Sequence, residues 1–227
     1  MSTLRRLLIV LLLLLAGAAL IAVFFRLAGG WRWQDGWSFL GLLAFGHGLS
    51  TWWVWRRRPE VLRRRATVGK GTKGWDLAWL AGFAGLVVAM LLVAAAQIGR
   101  SGPSFGPAWR LLGTLLYAFF LVVLTWCMTE NPFFEKTVRI QTDRGHHVIA
   151  SGPYAFVRHP GYAALIPGFL LGPPLLLRSD QAFLPAGICI VWVILRTALE
   201  DRTLLRELDG YAAYARRVRY RLVPGLW

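Results

Sequence analysis

Several apolar runs in this chain reach the length that a helix needs to cross a bilayer, and this leaves few folds open. Residues 4–28 form the first, led by Arg5 and Arg6. About 18–20 apolar residues span the hydrocarbon core as a helix. A signal peptide also opens on basic residues, but its apolar core is only about 7–15 residues long. This run therefore reads as a retained transmembrane helix. Residues 36–55 read as a second span that ends on Trp52, Trp53 and Trp55, placed like interface anchors. His47, inside it, reads as a structural hydrogen bond to a neighbouring helix. Residues 77–98 and 109–128 are the third and fourth spans, joined by a short Gly/Pro loop. Residues 161–177 are a shorter fifth run, interrupted by Pro167, Pro173 and Pro174, and residues 182–199 are a sixth. The last two form a potential hairpin turned at Arg178-Ser179-Asp180. The chain is 56% hydrophobic, with mean hydropathy +0.51 over its 227 residues. It reads as an all-α integral membrane protein of about six transmembrane helices.

The formal net charge is +15. In a soluble domain such a balance points to nucleic acid. Here the charge follows topology instead. With six spans and both termini cytoplasmic, 21 of the 26 lysines and arginines fall inside, and only Arg26, Arg32, Arg100, Arg110 and Arg178 fall at outer loops. That is the positive-inside pattern, as in a bacterial inner membrane or its equivalent, and it argues against a nucleic-acid partner. The basic stretch 56–76 reads as an inside loop against anionic headgroups. Cys127 and Cys189 both lie in apolar runs and read as core residues.

Residues 129–160 and the tail beyond Asp201 are polar, and the same count puts both on the cytosolic side. The chain thus divides into N-terminal spans, 1–128, and a C-terminal unit, 129–227. The densest stretch of that unit is SGPYAFVRHPGY, residues 151–162. Gly and Pro fix its backbone, and Pro160 pushes His159 away from helical angles. It reads as a turn leading into a helix. Arg196 and Glu200, four residues apart, share a helix face and can pair. They read either as an interfacial salt bridge or as a charged site. His146 and His147 are adjacent and lack helical metal-pair spacing, so no metal site is expected. HExxH and the P-loop are absent, and the GxSxG at 102–106 and the GxGxxG at 69–74 fall in loops between apolar spans, without the strand-to-helix context that either motif needs.

The order HHVIASGPYAFVRHPGY, hydrophobic hairpin, Arg196-x-x-x-Glu200-Asp201, GYAAYARRVRYRLVPGLW resembles the isoprenylcysteine carboxyl methyltransferase family and the related membrane phospholipid methyltransferases. The resemblance covers about residues 140–227. It implies a cytosolic S-adenosylmethionine pocket, built from the 129–162 loop and roofed by the C-terminal tail. The implied cofactor positions are His146, His147, Val148, Ile149, Tyr154, His159, Pro160, Gly161, Tyr162 and Glu200, with Gln141 at a looser spacing. Arg196 matches a position implicated with the acceptor, so Arg196 and Glu200 are the implied catalytic pair. Where the family usually has Glu-Glu, this chain has Glu200-Asp201, which leaves the role of Asp201 open.

These residue types suit that chemistry. A glutamate accepts hydrogen bonds from ribose hydroxyls or an amino group. Tyrosine rings pack on adenine or face a sulfonium through cation–π attraction. Methyl transfer needs positioning and exclusion of water more than acid–base help. A lipidic or lipid-tethered carboxylate would need no base, whereas an amine would have to lose a proton first. Two alternatives remain. One is an NADPH-dependent sterol-type reductase, in which Arg144, Arg216 and Arg217 meet the 2′-phosphate. The other is a non-catalytic membrane scaffold.

Overall fold

The computed structural model describes residues 3–69 and 71–227; Lys70 of the basic loop lies outside them. Among the described residues all regular structure is helical. The long helices are α1 (Thr3–Leu27), α2 (Gln34–Arg57), α4 (Gly74–Ser101), α5 (Ala108–Glu130) and α8 (Phe183–Glu207). Short ones are α3 (Pro59–Arg65), α6 (Pro160–Ala164), α7 (Gly172–Leu176) and α9 (Tyr211–Arg217). Prolines start α3, α6 and α7, where the missing N–H costs nothing and φ is preset.

Four helices are long and apolar enough to cross a membrane: Leu7–Leu27, α4, α5 and α8. The other two expected spans depart from that pattern for local reasons. α2 has the length, but Asp35, His47, Ser50 and two terminal arginines dilute its apolar character. The fifth run is broken: α6 passes through a π-helical segment, Leu165–Leu170, into α7. Pro167, Pro173 and Pro174 remove the amide donors that a continuous helix would use. The sixth runs further than expected, to Glu207, so Arg196, Glu200 and Asp201 lie inside α8 rather than at its end.

α5 is central, packed against α2 and against the broken α6–α7 segment, while α4 pairs with α8 and with α1. The main core joins Phe24, Phe25, Phe39, Met90, Tyr117 and Leu176. Close approach depends on small residues. A Cβ at Gly168 would meet the Leu116 carbonyl oxygen and Phe120, and one at Gly113 would meet Gly172 and Leu176 backbone. Two tryptophans bond reciprocally: buried Trp79 donates from Nε1 to the Trp192 carbonyl (2.8 Å), and half-buried Trp192 donates from Nε1 to that of Trp79 (3.2 Å). His47 Nδ1 lies 2.7 Å from the Tyr117 hydroxyl, linking α2 to α5.

The helix ends sort into two polar layers. In one, Asp35 at the start of α2 pairs with Arg110 of α5 (2.8 Å) and with Arg178 after α7 (2.6 Å). Gln97 near the end of α4 bonds to Ser179 and to Asp180 (2.5 Å). In the other, Arg58 after α2 donates to the Thr129 carbonyl (3.1 Å), and Lys73 before α4 pairs with Glu207 of α8 (2.8 Å). The segment 160–176 starts in this second layer and ends beside Arg178 in the first. It therefore links the two polar layers despite its break.

Gly168→Ala is expected to lower thermal stability by about 1–3 kcal/mol, the usual cost of overpacking. Gly17→Ala on α1, which has open space around it, should be neutral or stabilising. Thermal unfolding in detergent separates the two.

Candidate functional site

A fully buried carboxylate at the inner part of α8 holds the second polar layer together. Asp201 is 0% exposed. Its Oδ1 accepts from Arg158 Nε (2.9 Å) and the Tyr211 hydroxyl (2.9 Å), with His159 Nε2 at 3.3 Å. Its Oδ2 accepts from Arg158 Nη2 (3.1 Å) and Arg221 Nε (2.8 Å). Arg158 also reaches the carbonyls of Val218 and Arg219. The amides of Arg158 and His159 donate to the carbonyls of Tyr220 and Arg221, both at 2.9 Å. One acid thus ties α8 to the Arg158-His159-Pro160 turn and to the tail. The role left open for Asp201 is structural. Gly210, at φ +80°, makes the reversal between α8 and α9 that brings Tyr211 back to it.

Above this clamp lies a cavity of about 300 Å³. Every position singled out in the sequence lines it: Gln141, His146, His147, Val148, Ile149, Tyr154, His159, Pro160, Gly161, Tyr162, Arg196 and Glu200. The two polar blocks, 129–162 and 196–200, do meet, with Tyr211 and Tyr214 of the tail on the same wall. Their side chains are not equivalent. Gln141 is 1% exposed and spends its amide on the loop, donating to the Phe133 carbonyl (2.7 Å) and accepting from Arg144 (2.8 Å). Gly145, at φ +62°, ends the short turn Thr142–Arg144 and opens an extended run from His146 to Ala150. Among the described residues no group of the chain accepts from the amides of His147, Val148 and Ile149. Those donors are available to a ligand.

The pairing expected between Arg196 and Glu200 is replaced by a longer chain. Arg196 Nε donates to Asp76 Oδ1 (2.8 Å), and its Nη2 to the Lys136 carbonyl (2.8 Å). Its Nη1 donates to the Tyr162 hydroxyl, which donates in turn to Glu200 Oε2 (2.7 Å). The guanidinium lies 4.4 Å from the Trp79 ring centroid. Asp76 is the partner because α4 packs on α8 and puts a fully buried acid opposite Arg196. Asp76 also accepts from the Val138 amide (2.7 Å). Sequence reasoning missed this residue: a single acid after eight basic ones reads as loop charge. Its place one turn into an apolar helix was the available signal. His159 stacks on Tyr162 at 5.9 Å and 18°, and its Nδ1 stands 3.8 Å from Glu200.

Burial sets the protonation of the wall. His146 is pushed down to about 4, mainly by desolvation and then by His147 and Arg139. It stays neutral at neutral pH. Its Nδ1 accepts from the Gln141 amide (3.3 Å), so Nε2 carries the proton. Burial raises the Tyr154 and Tyr211 phenols well above their usual range and Tyr214 to about 12. Tyr154, Tyr211 and Tyr214 stay protonated here and do not serve as bases.

A helical membrane protein with a largely apolar cavity near one polar layer, whose lining includes a carboxylate, rings and free amides, is the class that fold and site define. Residues 111–206 match the model of the isoprenylcysteine carboxyl methyltransferase family. The match covers less than half of the chain and includes most of the cavity wall. It supports an isoprenylcysteine carboxyl methyltransferase-like family for this protein, and with it a membrane methyltransferase. No curated protein matches the chain.

Asp201→Asn leaves Arg158 and Arg221 without their counter-ion. Losing one partner of a buried pair costs about 3–5 kcal/mol. The variant should unfold at lower temperature, and trypsin should cut faster after Arg219 and Arg221. Tail cleavage at the wild-type rate would count against the clamp. A second expectation concerns pH. The unfolded chain takes up a proton at His146 near its ordinary 6.5, and the folded chain only near 4. Wild type should therefore lose stability relative to His146→Gln as pH falls from about 6.5 to about 4, with no difference in slope above pH 7.

Proposed function

We propose that this protein is an S-adenosylmethionine-dependent methyltransferase acting on a lipidic or lipid-tethered acceptor, with carboxylate O-methylation favoured. The observation that carries the reading is the convergence of all twelve positions on one cavity. The C-terminal unit 129–227 supplies all of these, and the spans of 1–128 supply apolar wall, with Trp79, Phe83 and Leu124 among its lining.

The residues present suit the cofactor. The unpartnered amides of the 147–149 run fit an adenine edge, and the Glu200 carboxylate fits hydroxyl or amino donors. Tyr154 and Tyr162 offer rings to a sulfonium. When bound, S-adenosylmethionine supplies an electrophilic methyl: an acceptor oxygen bonds to the methyl carbon as the S–C bond breaks, its electron pair passing to sulfur. From a carboxylate no proton is released. The chain's own residues hold and orient. Arg196 fixes the Tyr162 hydroxyl, Tyr162 fixes Glu200, and the Asp201 clamp keeps the tail over the cavity to exclude water. Arg196 thereby serves the acceptor side as a positioning group. An amine acceptor would need a base, and the buried phenols and the neutral, low-pKa His146 do not offer an obvious one. The reductase alternative has little support, since Arg144, Arg216 and Arg217 do not line the cavity.

The site layer is proposed to face the cytosol, with both termini there and six crossings, as in a bacterial inner membrane. The link that 160–176 makes between the two polar layers supports that count.

Full-length protein in detergent is expected to bind S-adenosylhomocysteine and not NADPH by calorimetry. Glu200→Gln should weaken the binding about 10- to 100-fold, the scale of a lost charge-assisted hydrogen bond. Labelled methyl from S-adenosylmethionine should enter a base-labile ester in extracted lipid. NADPH binding without S-adenosylhomocysteine binding would overturn the reading, as would a C-terminal reporter on the non-cytosolic side.

A further inference from the structure

One guanidinium on the cavity wall has no anion. Arg65, the last residue of α3, lines the cavity and is half-buried. Its guanidinium lies 5.0 Å from the Phe134 ring centroid. Among the described residues it makes no hydrogen bond and no ion pair. Its neighbours on the wall are each committed. Arg139 pairs with Glu135 and Asp143, Arg158 with Asp201, and Arg196 with Asp76. Lys136 is also unpaired, but its flexible ammonium is not fixed on a ring. Every fully buried side-chain nitrogen and oxygen of the described residues has a partner, so the unbonded nitrogens of Arg65 are open to the cavity rather than sealed in protein. Desolvation pushes its pKa down, and Arg196 adds to the effect. An arginine held in a cavity without a counter-ion is costly. A ligand oxyanion would remove that cost and meet a planar fork already in place.

We infer that Arg65 binds the oxyanion of the methyl acceptor, directly and in place of Arg196. The inference rests on the methyltransferase reading and names the residue that recognises its acid substrate. Two ligands could bring an oxyanion here, the acceptor or the cofactor through its amino-acid carboxylate. The origin of Arg65 favours the acceptor. The cofactor positions all fall in 141–200, whereas α3 belongs to the N-terminal spans, outside the matched stretch 111–206. Arg65 also stands with Phe134 and Leu124 on the wall, next to the apolar side chains of the spans, where a lipophilic body would lie. A carboxylate held there stays ionised and ready to take a methyl group. An ester or an amide of the same body gains nothing from the guanidinium.

The test uses full-length protein in detergent, with an N-acetylated isoprenylcysteine as the acid probe and its carboxamide as the neutral one. Binding is measured with S-adenosylhomocysteine present. Wild type should prefer the acid about 10- to 100-fold, the scale of a charge-assisted hydrogen bond. Arg65→Met should abolish the preference while S-adenosylhomocysteine binds within twofold of wild type, and Arg65→Lys should restore part of it. A wild type that does not prefer the acid overturns the assignment, and so does a preference that survives in Arg65→Met. If Arg65→Met weakens S-adenosylhomocysteine but not 5′-methylthioadenosine, which lacks the carboxylate, the oxyanion is the cofactor's and the acceptor role falls. Where Arg65→Met loses both nucleosides, the polar but uncharged Arg65→Gln is read in its place by the same criteria. Wild type that fails to bind S-adenosylhomocysteine removes the methyltransferase reading itself, and the acceptor assignment with it.

Discussion

Asp201 takes hydrogen bonds from Arg158, Arg221 and Tyr211, with His159 also in reach, while fully excluded from solvent. A lone carboxylate would not stay ionised there. Two guanidiniums and a phenol stabilise the charge, and they come from three segments: the turn before α6, the tail, and the start of α9. The cavity exists because these segments are fixed to one point on α8. Without the clamp, the 146–150 run and the tail would have little to hold them opposite Glu200. The clamp and the site also touch. His159 stands between Asp201 and Glu200, adjacent acids on one helix with different tasks, one structural and one facing the cavity.

Asp76 has a parallel function on the other side. It neutralises Arg196 and accepts the Val138 amide, so it joins α4, α8 and the 135–139 loop. Arg196 is thereby fixed over Trp79, and its remaining N–H reaches Tyr162. The result is a cavity in which charge is balanced almost everywhere. Among the described residues Glu200, Lys136 and Arg65 are the exceptions, a carboxylate with acceptor capacity left and two cations without an anion, of which Arg65 is held over a ring. They lie on walls contributed by different parts of the chain. Such a division suits a reaction that brings a polar cofactor from water and a lipophilic acid from the bilayer to one point.

The membrane character and the turn before α6 were legible in the sequence for physical reasons, while the residues that line the cavity were named through a family resemblance. Long apolar runs such as 4–28 and 109–128 have no low-energy place in water, so composition alone commits them. Gly152-Pro153 and His159-Pro160 restrict the backbone locally, so a turn can be read from them directly. Other features were not legible. α8 continues to Glu207 because Lys73 and the clamp satisfy charges that, in sequence, look like an exposed tail. The Arg196–Glu200 spacing allowed a local pair, but Asp76 wins because it is buried, and a buried acid makes the stronger claim on the guanidinium. Arg65 sat among basic residues whose general explanation, the positive-inside rule, was sufficient for most of them.

The sequence by itself determined that this chain is helical, is apolar enough for a membrane, and carries an ordered motif shared with a methyltransferase family. The first two follow from hydropathy and backbone restriction, which act locally, and the last from the resemblance. Only the tertiary structure decided which charge meets which. Asp76 finds Arg196 and Asp201 finds Arg221 through helix packing, and Arg65 is left alone by the same packing. Ion pairing depends on distances of a few ångströms between groups up to 143 residues apart, and no local pattern encodes such distances.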